Sequence, residues 1–442
     1  MSLTPDTTTS FLVDLFVLFA GSVLAGEIAV RLGQAALVGQ LLVGVVLGPT
    51  LLGPYLGLTG LTPELSAIQF LATVFILFMA GLEVVPEDIA RMGLKNALLG
   101  IGVFVVPFLS CGIAVYYLLP GAGTLSYLFL GLTLSITALP VMGIMLSEFG
   151  LTGRPMGRWL LNAALLNELS AVAVFAVLLK LYSGGTSGGL AVLEAVLAVG
   201  IFLGAILTVH MAIMSLRLSR QWPRWEPRLS RLWRNREGGF AILMILVVGA
   251  TLFSQALGLT FVVGAFYAGL LVTRRSAGTK AHRSISGVFD AMSWGFFIPL
   301  FFVLVGVQMD LKLLLPEGYL VAFFVLLGVA TLTKVGAGGL LARAFGWSRP
   351  DALAMGWLVN SRGAVELAMA VILLGSGVFN AFEFTLVAAV GLVTTLMAPA
   401  GAKAAWTKDP DSRREFFLRA PRFRPAGEPR PVSVPFDPPP LP

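Results

Sequence analysis

Charge is what this sequence has least of. Only 12% of its 442 residues are charged, against 57% hydrophobic, where a water-soluble domain carries about 25% charged residues. That deficit excludes an ordinary soluble chain and puts most of the sequence in lipid. Cysteine is nearly absent. Cys111 stands alone inside an apolar run, so no intrachain disulfide can form, and the residue reads as a small packed hydrophobe. The two histidines, His210 and His282, are too few for a metal cluster and show no ligand spacing. Signal-peptide marks are missing as well. Residues 1–10 are polar, with neither a basic stretch nor a small-residue cleavage site, so the first apolar run is expected to stay as a helix. The net charge of +7 does not point to nucleic acid, because the basic residues gather in the loops of one side and in the tail.

What is present is a succession of apolar runs. A spanning helix needs about 20 apolar residues, and thirteen runs approach that length: 11–31, 36–52, 66–83, 95–119, 125–147, 157–182, 189–215, 238–258, 260–273, 286–308, 317–343, 350–376 and 382–401. Lys and Arg in the loops set orientation. One set of loops holds Arg31, Arg91, Lys95, Arg154, Arg158, a cluster from Arg217 to Arg236, another from Arg274 to Arg283, then Arg343, Arg349 and the tail. The opposite set holds little beyond Lys312, with Lys180 at a helix end. The contrast predicts a multi-pass protein of the cytoplasmic membrane with its N-terminus outside and its C-terminus cytoplasmic. The Arg/Trp loop 217–237 reads as an amphipathic segment on an anionic leaflet. The Pro/Arg-rich tail, 406–442, reads as disordered. No soluble nucleotide-binding domain is expected after the last span.

Six runs, a seventh, then six more suggest two inverted repeats, 1–188 and 238–405, joined by a linker helix and the basic loop over 189–237. Transporters built this way hold their site at the midplane between the halves. The fifth run contains Pro140, which has no N–H and frees the carbonyl of Ile136. Its counterpart, the twelfth, contains Gly363 in Asn360-Ser-Arg-Gly-Ala-Val-Glu366. Broken backbone at membrane depth is tolerated only where it faces protein or a wet cavity, so these two breaks mark a binding site.

Four ionisable residues lie deep in apolar runs: Glu168, Lys334, Arg362 and Glu366. A charge at the bilayer centre costs about 2.5–3.5 kcal/mol on insertion scales, and such groups mark ion or proton paths. Arg362 and Glu366, four apart, form an ion pair if the stretch is helical. Lys334 needs a partner, for which Glu168 is the obvious candidate. Asp14, Glu27, Glu83, Glu148 and Asp310 fall toward helix ends, and Glu194 near the start of the seventh run, where caps and interfacial water suffice. One carboxylate among hydroxyl and carbonyl oxygens suits a weakly held monovalent cation. A group that can hold a proton or a cation, but not both, is enough for antiport.

At these residues the chain resembles the monovalent cation/proton antiporters, specifically the second branch with its Kef-type, NapA-type and plant cation/proton exchanger relatives. The resemblance covers about residues 11–401. It rests on Arg31-Leu-Gly-Gln34 leading to Gly44-Val-Val-Leu-Gly-Pro49, Phe78-Met-Ala-Gly-Leu-Glu83 and Ser135-Ile-Thr-Ala-Leu-Pro140. It continues through Gly264-Ala-Phe-Tyr-Ala-Gly269, Pro299-Leu-Phe-Phe-Val-Leu-Val-Gly306 and Asn360-Ser-Arg-Gly-Ala-Val-Glu366. It implies an all-α membrane fold of about thirteen helices, with two inverted repeats, crossed discontinuous helices and a homodimer whose mobile core moves like an elevator. Spans four to six and eleven to thirteen would form that core. The family's Asn-Asp or Asp-Asp pair aligns with Asn167-Glu168, so Glu stands where Asp is usual. The resemblance implies Glu168 as ion and proton carrier, Asn167, Ser135 and Thr137 as neighbouring ligands, and Lys334 as the membrane counter-charge. The neutral Asn167 leans toward electroneutral exchange, while Lys334 resembles the lysine of Asp-Asp members, so the two point opposite ways on stoichiometry. The expectation is a transporter, not an enzyme, that exchanges Na+ or K+ for protons without a cofactor. A Kef-like gated potassium pathway and a non-transporting membrane sensor are the alternatives.

Overall fold

A computed structural model describes residues 7–58, 60–83, 92–121, 123–184, 189–218, 238–271, 289 and 291–407. Among these the chain is helical, with no strand. The basic loop expected at 217–237 and the tail expected from 406 lie outside the described residues, except at their first positions.

The helices are α1 (Thr7–Arg31), α2 (Ala36–Leu47), α3 (Pro63–Glu83), α4 (Leu94–Leu118), α5 (Thr124–Thr133), α6 (Leu139–Glu148), α7 (Pro155–Gly184) and α8 (Gly189–Leu218). They continue with α9 (Gly238–Ala256), α10 (Phe261–Leu271), α11 (Ile298–Gln308), α12 (Glu317–Ala344), α13 (Arg349–Val359), α14 (Ala364–Gly375) and α15 (Ala381–Thr407). A π-helical turn, Ser293–Phe297, leads into α11. The pairs α5–α6 and α13–α14 are each one broken span, and a four-residue helical turn, Gly53–Leu56, is too short to span, which leaves thirteen segments among the described residues, in line with the expected fold. Ten residues rise about 15 Å, so two such halves together reach the ~30 Å of a hydrocarbon core. The last helix runs to Thr407 rather than ending by 405. Trp406 is buried there, set edge-on to Phe149 and donating from Nε1 to Asp351 (3.0 Å).

The helices pack as two bundles. In one, α2 packs on α1 and α11, and α10 on α3 and α9. In the other, α4 packs on α5, α7 and α12, α12 on α13, and α13 on α15. The pairings repeat between the halves, since α1–α2 is matched by α9–α10 and α2–α11 by α10–α3. Glycine sets the spacing at both of the latter crossings. A Cβ on Gly44 would fall against Val303 O, and one on Gly81 against Phe266 O. Gly44, Gly81, Gly269 and Gly306 of the quoted motifs are therefore helix-crossing points, where no side chain fits.

Candidate functional site

Asn167 and Glu168 lie near the middle of α7, both fully buried. They face the gap between α5 and α6. Asn167 Oδ1 accepts from Thr137 N (2.8 Å), while Nδ2 donates to Ser135 O (3.1 Å) and Val103 O (3.3 Å). A neutral amide serves donors and acceptors at once; an ionised carboxylate only accepts. The local backbone therefore gives a reason for Asn at 167. Glu168 Oε1 accepts from Leu139 N (3.3 Å). Leu139 opens α6, so this N–H has no partner within its helix and carries the positive end of its dipole. Among the described residues, Oε2 takes no hydrogen bond.

Pro140 occupies the first turn of α6, where a missing N–H breaks no helical bond. The carbonyls stranded ahead of it are held by cations. Lys334 Nζ donates to Ser135 O (2.6 Å) and to Ile136 O. Arg362 Nη1 donates to Thr133 O and to Glu366 Oε1, each at 3.3 Å. Both positive groups thus sit at the carbonyl end of α5, where its dipole favours them. All four charged side chains are buried.

The two breaks cross and bond to each other. Thr137 Oγ1 donates to Val359 O (3.0 Å), at the end of α13, and Ala138 N donates to Ser361 O (3.2 Å). A Cβ on Gly363 would lie 2.8 Å from Ala138 Cβ and Val141 Cγ2. The requirement for glycine here is the close approach; its backbone is extended. Arg362 N donates to the Thr395 hydroxyl (3.0 Å) on α15.

The structure therefore gathers Glu168, Asn167, Ser135, Thr137, Pro140, Lys334, Arg362, Gly363 and Glu366 around one crossing. Two expectations change in detail. Lys334 binds carbonyl oxygens, and no ion pair joins it to Glu168 among the described residues. The hydroxyls of Ser135 and Thr137 turn to Leu132 O and Val359 O; their backbone groups, not their side chains, meet the Asn167 amide. Sequence reasoning named the freed carbonyl of Ile136 but missed Leu139 N, the carbonyls of Thr133 and Ser135, and Thr395. It also gave no role to Asn360, which is buried with neither amide atom hydrogen-bonded among the described residues. A polar residue beside a helix break inside an apolar run was the available signal.

Several peripheral acids have local partners. Glu27 pairs with Arg31 (3.0 Å), and Asp310 caps a short turn at Lys312 N (3.0 Å). Glu194 meets Lys180 (3.6 Å). Between the bundles, an apolar cleft lined by Met79, Trp294, Ile298, Pro140, Ile144 and Val365 holds about 30 Å³. That is room for about one or two waters.

Residues 15–408 match the family described as sodium/hydrogen exchanger, transmembrane. The Na(+)/H(+) antiporter NhaS4 of Synechocystis is 28% identical over 418 residues, covering 89% of this chain and 96% of that protein. The Na(+)/H(+)-K(+) antiporter GerN of Bacillus cereus is 27% identical, covering 88% and 94%. The sodium proton antiporter MjNhaP1 of Methanocaldococcus jannaschii superposes with a TM-score of 0.65 at 17% identity, over 93% of this chain and 99% of that one, a likeness of fold. With nearly nine-tenths of its length matched, the chain belongs to the sodium/hydrogen exchanger family of monovalent cation/proton antiporters.

Proposed function

We propose that this protein exchanges Na+ or K+ for protons, with Glu168 carrying each in turn. The observation that carries the reading is the state of that carboxylate. It is buried in the middle of a span, anchored through one oxygen to the start of a half-helix, with the other oxygen taking no hydrogen bond among the described residues. A proton or a monovalent cation on Oε2 neutralises the group; the charged empty form is costly at that depth. Occupied sites therefore cross and empty ones do not, which couples the two flows.

Lys334 supports one-for-one exchange. Its ammonium is held by backbone carbonyls, which do not titrate, so its charge need not change when Glu168 swaps ligands. Asn167 is neutral in both states. One carboxylate then moves one proton against one cation. The two-bundle packing fits an elevator in which the bundle of α4–α7 and α12–α15 carries the site past α1–α3 and α9–α11. The loop charges support a cytoplasmic basic face in the cytoplasmic membrane, and the family resemblance supports a homodimer.

Because proton and cation compete, lowering the pH should raise the cation concentration needed for half-maximal exchange. The test is reconstitution in vesicles with an internal pH dye, challenged with sodium, potassium and lithium under clamped voltage. Proton movement driven by Na+ or K+ and indifferent to voltage is expected. Cation current without proton movement would contradict the reading.

A further inference from the structure

Away from the crossing, the outer face of α4 and α12 carries a groove of about 770 Å³, lined by Leu98, Gly102, Val106, Leu332, Gly336 and Leu341. Its lining is almost wholly apolar. A smaller notch of about 250 Å³ shares Gly336 and Leu340 with it and runs between α12 and α13 to Arg343 and Arg349. The two hollows thus flank the exposed Leu340 ridge and share a floor at Gly336. Both arginines are exposed. Arg343 spends one donor on Trp347 O (2.8 Å), which leaves most of its five N–H groups available. Lys95, exposed on α4 three residues before Leu98, adds a third cation at the same end of the groove.

The opposing charge nearby is already engaged. Asp351 accepts from Ser348 Oγ (2.7 Å) through Oδ2 and from Trp406 Nε1 (3.0 Å) through Oδ1. Trp347 stands edge-on to Trp159, with centroids 5.7 Å apart. Tryptophans gather at the headgroup level of a bilayer, which puts the arginines at phosphate height and the groove at acyl-chain height.

We propose that this surface is a binding site for one anionic phospholipid. Its phosphate lies against Arg343 and Arg349, and an acyl chain lies along the α4–α12 groove. Arginine forks suit phosphate oxygens, and basic pockets between spans attract acidic headgroups. Both groove helices belong to the bundle that holds Glu168, so the lipid would be bound to that bundle and not to α1–α3 or α9–α11.

The test is native mass spectrometry of the purified full chain in detergent, with dioleoylphosphatidylglycerol or dioleoylphosphatidylcholine added at equal concentration. The wild type should retain the anionic lipid at least roughly tenfold better, in line with two arginines at a headgroup. Arg343→Gln with Arg349→Gln should bring the two lipids to equal retention. Gly336→Phe should cut phosphatidylglycerol retention while the protein stays monodisperse, because a Cβ at 336 meets nothing within 4 Å. Equal retention of both lipids by the wild type would mean a non-selective lipid annulus and would overturn the proposal. So would an undiminished preference in the double-arginine variant.

Discussion

At Glu168 the amide of Leu139 stands where the sequence pointed to the ammonium of Lys334. A backbone N–H at a helix start steadies a carboxylate without neutralising it, which leaves the negative charge available for a cation. Lengthening Asp to Glu extends the carboxylate toward that amide; Glu168→Asp should draw it back. The expected outcome is exchange that persists with a severalfold higher half-saturating cation concentration, read from dye-based flux. Asn167 has a different task, since it holds three backbone groups of two polarities. Asn167→Ala would strand Thr137 N in a dry interior, at a cost of about 1–3 kcal/mol. A lowered unfolding midpoint in detergent checks this.

At the scale of elements, the structure turns on two interrupted helices that complete each other. Arg362 ties the end of α5 to Glu366 in α14. Removing one charge leaves the other buried and unpaired, which costs about 3–5 kcal/mol. Arg362→Met alone should therefore destabilise more than Arg362→Met with Glu366→Met, a non-additivity that thermal melts can measure. Gly363→Ala should also lower stability, by about 1–3 kcal/mol for forced overpacking, through a changed contact rather than a changed charge. Much of this region was legible in sequence. Pro140 named the carbonyl it would strand, Ile136, and that carbonyl is one that Lys334 binds. The position of Gly363 likewise marked the second break. That Lys334 would be the group to bind Ile136 O, together with Ser135 O, was not legible, because a carbonyl belongs to every residue and the sequence does not name its donor. The same holds for Thr133 O and Leu139 N. Side-chain types suggested a lysine–carboxylate pair; the geometry of a stranded helix end decided otherwise.

At the scale of the whole molecule, lipid-facing apolar runs fixed the segment count, and glycines at 44, 81, 269 and 306 let four helices approach closely enough to form one bundle. The second bundle meets the first across the cleft between Ile144 and Trp294. If exchange moves one bundle against the other, joining the two should stop it. Ile144→Cys with Trp294→Cys, bridged by a short bis-thiol reagent, should lose flux and regain it on reduction of a cleavable linker. The native Cys111 is buried and should react little. Full activity in the bridged protein would argue for a fixed-bundle mechanism.

The central claim is that Glu168 alone carries both proton and cation, and Glu168→Gln tests it most directly. The amide still accepts from Leu139 N but can neither titrate nor offer a negative charge. In vesicles with an internal pH dye, the variant should fold, melt near the wild-type midpoint, and show no proton movement when sodium or potassium is added. Cation-driven proton flux at the wild-type rate would contradict the account.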